Sequence, residues 1–269
     1  MGTTHRTLGP AMDDSLVGLG RWSALVCGIG AVGYGVTATV VGVFAASAIT
    51  WESFDQFVSE YRPLPTVAVL FPAFLVAMVF PLLVVAVYST VREGRKPLGL
   101  AAVLFAGVYT AVLGADYWLQ LTNVPWNTLR GTTDGLAPWV VWNPASLFWS
   151  FEGFGYFALG VSCFFLALAH DPGVLPKRLR RTLMGMGALG VLFLVNNLKD
   201  LVVEAVRSDG WQGIEGVATG SALSLVFAWV VLFGCVSFFF AGWFARLRSE
   251  PTPPSRQDVA ASSRTEEVS

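Results

Sequence analysis

Six long apolar stretches restrict what this chain can fold into. A helix that crosses the hydrocarbon layer of a bilayer needs about 20 mostly apolar residues, because it rises 1.5 Å per residue. Six segments of the 269-residue sequence meet this requirement. They cover residues 22–46, 66–91, 98–121, 145–169, 182–204 and 217–244. The sequence therefore predicts an all-α, polytopic membrane protein with six transmembrane helices.

Composition supports this class and excludes others. Apolar residues make up 54% of the chain and charged residues only 13%, about half the charged fraction of a soluble globular protein. The apolar and polar residues do not alternate in short segments, as they would in a membrane β-barrel. The three cysteines fall inside the spans without CxxC or Cys/His spacing, so neither a disulfide framework nor a zinc site is indicated. A net charge of −1 gives no basic field for nucleic acid, and no nucleic-acid partner is expected.

The distribution of Lys and Arg predicts the orientation. Thirteen of the 17 basic residues lie before span one or after spans two, four and six, and cytoplasmic segments retain positive charge. Both termini are therefore expected on the cytoplasmic side. The expected location of the protein is the cell (inner) membrane. The polar start of the chain does not match a cleaved signal peptide. We expect a cytoplasmic segment at 1–21, a transmembrane domain at 22–248 and a disordered cytoplasmic tail at 249–269.

The two longer outer loops are rich in aromatic residues. In the first, Trp51, Phe54, Phe57 and Tyr61 recur at helical spacing, which predicts a short helix in the membrane interface, either an anchor or a lid. The third loop, residues 122–143, contains three tryptophans, which favour the headgroup level. An aromatic belt is the simplest interpretation of that loop, and ligand contacts from its Asn and Arg side chains are the alternative.

Ionisable groups inside the spans are the main candidates for function. A carboxylate in lipid costs about 2.5–3.5 kcal/mol on insertion scales, so it normally faces the interior and has a partner or a task. Glu152 lies about 11 Å below the outer boundary of span four. Asp116 is near the outer end of span three, with Gln120 one turn later, and Asn197 and Asp200 are in the outer half of span five. We expect a polar pocket shared by these three spans.

The same groups have a structural interpretation. Asp116 would then accept hydrogen bonds from Asn196 or Gln120, and Lys199 would pair with Asp200 or Glu204, as polar contacts that hold helices together. Glu152 is the hardest to explain in this way because of its depth. Gly153 and Gly155 beside it permit close approach of another helix, and Tyr156 lies one turn further along the same face.

Short motifs in spans three and four resemble a known group of proteins. The segment from Asp116 to Thr122, the pair Asn143–Pro144, and Glu152 with Gly155–Tyr156 resemble an uncharacterised family of six-span bacterial and archaeal membrane proteins. That resemblance supports the polar pocket and implies no activity. The layout is also similar to membrane-embedded terpene cyclases and sterol isomerases, which place carboxylates in an aromatic-rich helical bundle, although no sequence motif is shared.

Three functions are compatible with these features. The first is an enzyme that performs acid-initiated cyclisation or isomerisation of an isoprenoid or lipidic substrate. Glu152 or Asp116 would supply the proton. The residues expected to bind the substrate are Gln120, Tyr156, Trp149, Trp118, Asn197 and Asp200. The second function is a proton-coupled transporter of small molecules, and the third is a noncatalytic membrane partner protein.

No cofactor or metal is expected. The motifs of nucleotide-binding enzymes, zinc proteases and serine hydrolases are missing from the sequence. The two histidines, His5 and His170, lie outside the predicted pocket. Membrane lipids and one lipidic or isoprenoid small molecule are the expected partners.

Overall fold

A computed structural model describes the backbone of residues 13–44, 51–206 and 218–249, and the side chains of these residues except 200–223 and 249. In these ranges the chain forms α-helices joined by turns and two short 3-10 helices. The α-helices are α1 (Asp14–Phe44), α2 (Phe54–Glu60), α3 (Pro63–Tyr88), α4 (Lys96–Leu121), α5 (Asn123–Arg130), α6 (Leu147–Ala169), α7 (Lys177–Val206) and α8 (Ala218–Ser249).

Six of these helices, α1, α3, α4, α6, α7 and α8, are long and apolar enough to cross a membrane. The predicted all-α architecture with six spans is therefore confirmed. Two of the helices start with proline in their first turn, at Pro63 in α3 and at Pro97 in α4. Proline fits there because the first turn leaves its backbone N–H groups without a helical partner in any case.

The long helices form a ring in chain order. Each packs against the next, and α8 returns to pack against α1 and closes the ring. The contact between α6 and α7 depends on small residues: a Cβ atom at Gly160 would lie 2.7 Å from the Cα of Gly190. Glycines at such positions let helix backbones approach closely, which strengthens van der Waals packing between membrane helices.

Aromatic side chains fill the centre of the ring. Phe80 of α3 packs edge-on against Tyr109 of α4 at 5.4 Å between ring centroids, and it lies 5.6 Å from Phe233 of α8. Phe233 in turn stacks on Trp229 at 5.2 Å. The middle of the bundle is therefore a packed apolar core.

The end of the bundle that carries α2 and α5 is called the outer end, following the predicted orientation. Here Phe57 and Tyr61, at α2, pack with Val124, Leu136 and Val140 into a second small core, the outer cap. The short helix predicted in this loop is present. Its apolar face packs against the third loop, which folds back over it. Its predicted place in the membrane interface stays a prediction.

Two side chains fasten the outer cap to the bundle. The Oε1 atom of Gln120 accepts a hydrogen bond of 3.1 Å from the backbone N–H of Val141, and its amide donates to the carbonyl of Trp139. The indole N–H of Trp142 donates to the Thr66 hydroxyl of α3 at 2.9 Å. The cap is thereby held over α3 and α4.

At the opposite, inner end, the connection before α4 is bound to the connection after α6. Arg92 and Arg95 form ion pairs with Asp171 at 2.9 and 3.0 Å. Arg95 also donates to the carbonyl of Leu168 at 2.6 Å. The buried His170 ring lies 2.8 Å from the Thr90 hydroxyl. These groups are called the inner clamp.

Candidate functional site

Glu152 lies inside the ring and is partnered by tyrosine hydroxyls. Its Oε1 atom accepts hydrogen bonds from Tyr156 at 2.9 Å and from Tyr117 at 3.2 Å. Tyr34, on α1, lies beside this carboxyl and beside Tyr156. Glu152 is only 2% exposed. These four residues are called the Glu152 cluster, and they join α1, α4 and α6.

Local sequence explains the position of this carboxyl. Tyr156 follows Glu152 by four residues and therefore lies on the same face of α6. A Cβ atom at Gly155 would overlap the Leu113 side chain of α4, and one at Gly153 would overlap the Asn197 amide of α7. Because both positions are glycine, α6 fits tightly between its two neighbours and the Glu152 side chain is turned into the ring.

Aromatic rings surround the cluster. Tyr156 packs against Phe193 of α7 at 4.6 Å and against Trp229 of α8 at 5.0 Å between centroids. The Trp229 ring also contacts Tyr34 edge-on at 6.0 Å. Its indole nitrogen is buried and has no hydrogen-bond partner in the part of the chain that the structure describes. Ring faces near an acid can stabilise a positive charge, by about 2 kcal/mol or more where water is excluded.

Asp116 precedes Tyr117 on α4 and is 2% exposed. Among the described residues, neither of its carboxyl oxygens has a hydrogen-bond partner. The expectation that Asn196 or Gln120 would donate to it is therefore wrong. The Gln120 amide is engaged one turn further out, by the backbone of the outer cap. A buried carboxyl without donors is costly when ionised, so it is a place where a proton or a bound ligand would be held.

Other residues predicted to bind a substrate do not gather at the cluster. Trp118 is 55% exposed on the outside of the ring, where it packs against Phe74. Asn197 is exposed, and its amide donates to the Phe193 carbonyl of its own helix at 2.8 Å. The side chain of Asp200 lies outside the described residues. Their roles stay predictions.

Two adjacent cavities lie at the junction of α1 and α8, the seam. The smaller one, the seam cavity, has a volume of about 290 Å³. The larger one, the seam groove, has a volume of about 510 Å³. They share four lining residues, which are Gly35, Thr39, Phe227 and Val230. Tyr34 and Trp149 both line the seam cavity, so the cavity adjoins the Glu152 cluster.

The seam cavity involves other helices than the pocket expected from the sequence. The sequence predicts polar groups of spans three, four and five around a shared pocket, whereas the seam cavity is lined by α1, α6 and α8. Of the predicted substrate contacts, Trp149 lines it, and its indole N–H donates to the Asn143 carbonyl at 3.2 Å. Tyr156 belongs to the neighbouring cluster. The difference arises because the ring closes between its first and last helices, a contact that no local pattern specifies.

Sequence reasoning missed Tyr34 and Trp229. A signal was available for Trp229, because tryptophans in membrane helices favour the two interfaces and this one lies near the middle of span six. Tyr34 stands among the glycines of span one and carries a hydroxyl group in an apolar segment. Both are buried in the structure: Trp229 is 1% exposed and Tyr34 is 6% exposed.

Within the described part of the chain, no three His, Cys, Asp or Glu side chains are grouped so as to hold a metal ion. Comparison of the sequence and structure with protein-family models, curated proteins and solved structures finds no match in any of the three. The resemblance of spans three and four to a six-span family stays a prediction.

Proposed function

We propose that the protein is a membrane-embedded enzyme in which Glu152 supplies a proton that starts cyclisation or isomerisation of an isoprenoid or lipidic substrate. The observation that supports this proposal is a deeply buried carboxyl whose described partners are hydroxyl groups, beside aromatic rings and an apolar cavity. Groups that supply protons during catalysis must be able to exchange them, and hydroxyl partners allow this.

The reaction balances without an oxidant or reductant. A proton from Glu152 adds to one carbon of a substrate C=C bond, whose π electrons form the new C–H bond and leave a carbocation at the other carbon. Loss of a proton from a neighbouring carbon to the Glu152 carboxylate then restores a double bond and returns the acid to its starting form. The product is an isomer of the substrate.

The aromatic rings have a defined part in this scheme. The faces of Tyr156 and Trp229 would stabilise the carbocation, and the packed core would keep water away from it until the final proton is lost. A proton-coupled transporter receives less support. Such a carrier would need polar groups on the inner side of Glu152, where the described centre of the ring is packed with residues such as Phe80, Leu83 and Phe233.

Deuterium incorporation tests the proposal. The protein in lipid nanodiscs would be incubated in heavy water with farnesol or geranylgeraniol, and the products analysed by chromatography and mass spectrometry. We expect an isomer that carries one non-exchangeable deuteron, because the added proton comes from solvent through Glu152.

Glu152→Gln keeps the shape of the side chain and its hydrogen-bond acceptor but removes the acid, so it should abolish the labelled isomer. The matched control is Glu52→Gln, at an exposed position near α2, which should retain it. A labelled isomer formed equally by Glu152→Gln, or none formed by the unaltered protein, would contradict the proposal and favour a noncatalytic role of the buried acid.

A further inference from the structure

We propose that the seam cavity and seam groove together bind a single prenyl chain that enters sideways from the bilayer, and that Tyr34 passes the proton from Glu152 to that chain. This inference rests on the proposed function and adds the place, the direction of entry and the group that touches the substrate.

The dimensions of the seam suit such a chain. The lining residues of α1 run from Val32 to Val43, a distance of about 16 Å at 1.5 Å per residue. The volumes of about 290 and 510 Å³ fall close to or within the range typical of small-molecule sites. An elongated apolar ligand could therefore lie along α1 between the two helices.

The groove side of the seam is open to the surroundings of the bundle. There Val36 of α1 and Val231 of α8 are 56% and 63% exposed. The two helices touch at Gly35, where an added Cβ atom would lie 2.8 Å from Val230. A prenyl chain can thus enter sideways through the groove and reach the seam cavity beside that contact, along Thr39, which lines both spaces.

Polar groups are confined to one side of this space. The Thr39 hydroxyl is already used, since it donates to the Gly35 carbonyl of its own helix at 2.8 Å. The Trp149 indole is likewise bound to Asn143. Apart from the Cys235 thiol in the groove, Tyr34 is the remaining polar side chain among the lining residues, and it belongs to the Glu152 cluster while it lines the cavity. The reactive part of a bound chain would therefore lie against Tyr34.

A tyrosine hydroxyl can accept one hydrogen bond while it donates another. In the proposed step the O–H bond of Tyr34 breaks as a C–H bond forms on the substrate alkene. The O–H bond of Glu152 breaks at the same time, and its proton forms the new Tyr34 hydroxyl. The negative charge left on Glu152 is then stabilised by Tyr117 and Tyr156.

This chemistry selects a prenyl chain over a saturated acyl chain. The trisubstituted double bonds of a prenyl chain give a tertiary carbocation when protonated, and the rings of Trp229 and Tyr156 can stabilise it. A saturated acyl chain offers no bond that an acid of this kind can protonate, so it could occupy the seam only as bulk lipid.

Photo-crosslinking tests the location. A farnesol analogue with a diazirine at its hydrocarbon end would be irradiated with the protein in nanodiscs, and labelled peptides mapped by mass spectrometry. We expect labels concentrated on the lining segments of α1 and α8, displaced by unlabelled farnesol and not by a saturated alcohol of the same length. Labels spread evenly over all six helices, or displaced equally by both alcohols, would overturn the proposed site.

Two glycines provide a matched pair of variants. Gly42→Phe places a ring in the seam cavity, whereas Gly107→Phe places one on α4, at another position with nothing within 4 Å. The first should reduce seam labelling at least about tenfold, as expected for loss of a well-fitting pocket, and the second should leave it unchanged. Equal labelling of both variants would contradict the proposal.

Tyr34→Phe separates binding from proton transfer. This variant keeps the ring that lines the cavity, so seam labelling should stay within about twofold of the unaltered protein, while deuterium incorporation falls about 100-fold or more. Unchanged incorporation would remove Tyr34 from the relay. Seam labelling without any deuterated product in the unaltered protein would instead overturn the proposed function and leave the binding site in place.

Discussion

Two partnered carboxyl groups of the protein, one in the inner clamp and one in the Glu152 cluster, differ in their partners. In the clamp, Asp171 is paired with Arg92 and Arg95, and its side chain is 31% exposed. In the cluster, Glu152 is 2% exposed and is bound by tyrosine hydroxyls. Both carboxyls are on or next to α6, separated by most of its length.

This difference indicates two kinds of use for the same chemical group. Guanidinium groups are permanently charged, and the ion pairs of Arg92 and Arg95 with Asp171 tie two connections together. Hydroxyl groups can donate to a carboxylate or accept from a carboxylic acid, so they tolerate either form of Glu152. The clamp is therefore interpreted as structural, and the cluster as a place where a proton can move.

The largest expected effect separates the two carboxyls directly. Glu152→Gln should lower the rate of deuterium incorporation by about 100- to 10,000-fold, the usual contribution of general acid–base catalysis. Asp171→Asn should change that rate by less than about twofold, because no proton of the reaction passes through an ion pair at the inner end. Rates would be measured on both variants in nanodiscs. Equal losses of rate in the two variants would show that the inner clamp and the Glu152 cluster do not have different roles.

A smaller effect is expected for the hydroxyl partners of Glu152. Tyr156→Phe removes one hydrogen bond to the carboxyl, a contribution of about 1.5–3 kcal/mol when the acceptor is charged. We expect about a tenfold loss of rate, since Tyr117 still donates to the carboxylate. Tyr109→Phe is the control, because Tyr109 is equally buried but packs against Phe80. A similar loss in both variants would assign the effect to general packing.

The inner clamp should respond to pH through His170. Burial lowers the pKa of its imidazole, and Arg95 acts in the same direction, whereas the Leu166 carbonyl and Asp171 oppose the shift. The unfolded chain therefore takes up this proton first as the pH falls. Stability contributed by neutral His170 is present above the unfolded pKa of about 6.5 and declines below it.

The melting temperature would be measured in detergent between about pH 7.5 and about pH 5.5. Over this range, one titrating proton can change the free energy of unfolding by at most about 1.4 kcal/mol per pH unit. His170→Gln should flatten the decline that the unaltered protein shows. His5→Gln, at the other histidine of the chain, should not. A decline that persists in His170→Gln would place the responsible group elsewhere.

The smallest expected effect concerns the ion pairs of the clamp. Asp171→Asn should reduce the free energy of unfolding by a few tenths to about 1 kcal/mol, because partly exposed ion pairs contribute little. Glu93→Gln, at an exposed acid in the neighbouring 3-10 helix, should change it less. Stability of both variants would be compared by thermal unfolding. A loss of several kcal/mol in Asp171→Asn would show that the clamp carries far more of the fold than partly exposed pairs normally do.

Part of the site could be predicted from sequence because it depends on one helix. Glu152 and Tyr156 are four residues apart, so their contact follows from helical geometry alone. The burial of Glu152 follows from its depth in a span. The hydrogen bond from Tyr117 joins residues 35 positions apart, and it depends on the angle and register at which α4 meets α6. No local pattern specifies those quantities.

The Gln120 side chain shows another limit of prediction from sequence. Its place on the same helical face as Asp116 suggested a contact between them, yet its amide is used by the backbone of the outer cap. A loop of this length can fold back over the bundle in many ways. Which polar side chains it engages is decided by how its own small core packs against α2.

The sequence alone determined that the chain is helical, that it has six membrane-spanning segments and that a carboxyl group lies deep within the fourth. These features follow from the thickness of the bilayer and the cost of placing charge in it, which act on each segment separately. Only the tertiary structure decided that α8 closes on α1 and that Tyr34 and Trp229 surround Glu152 beside a cavity. Those contacts depend on the shapes of whole helix faces, where glycines admit a neighbour and large rings exclude one.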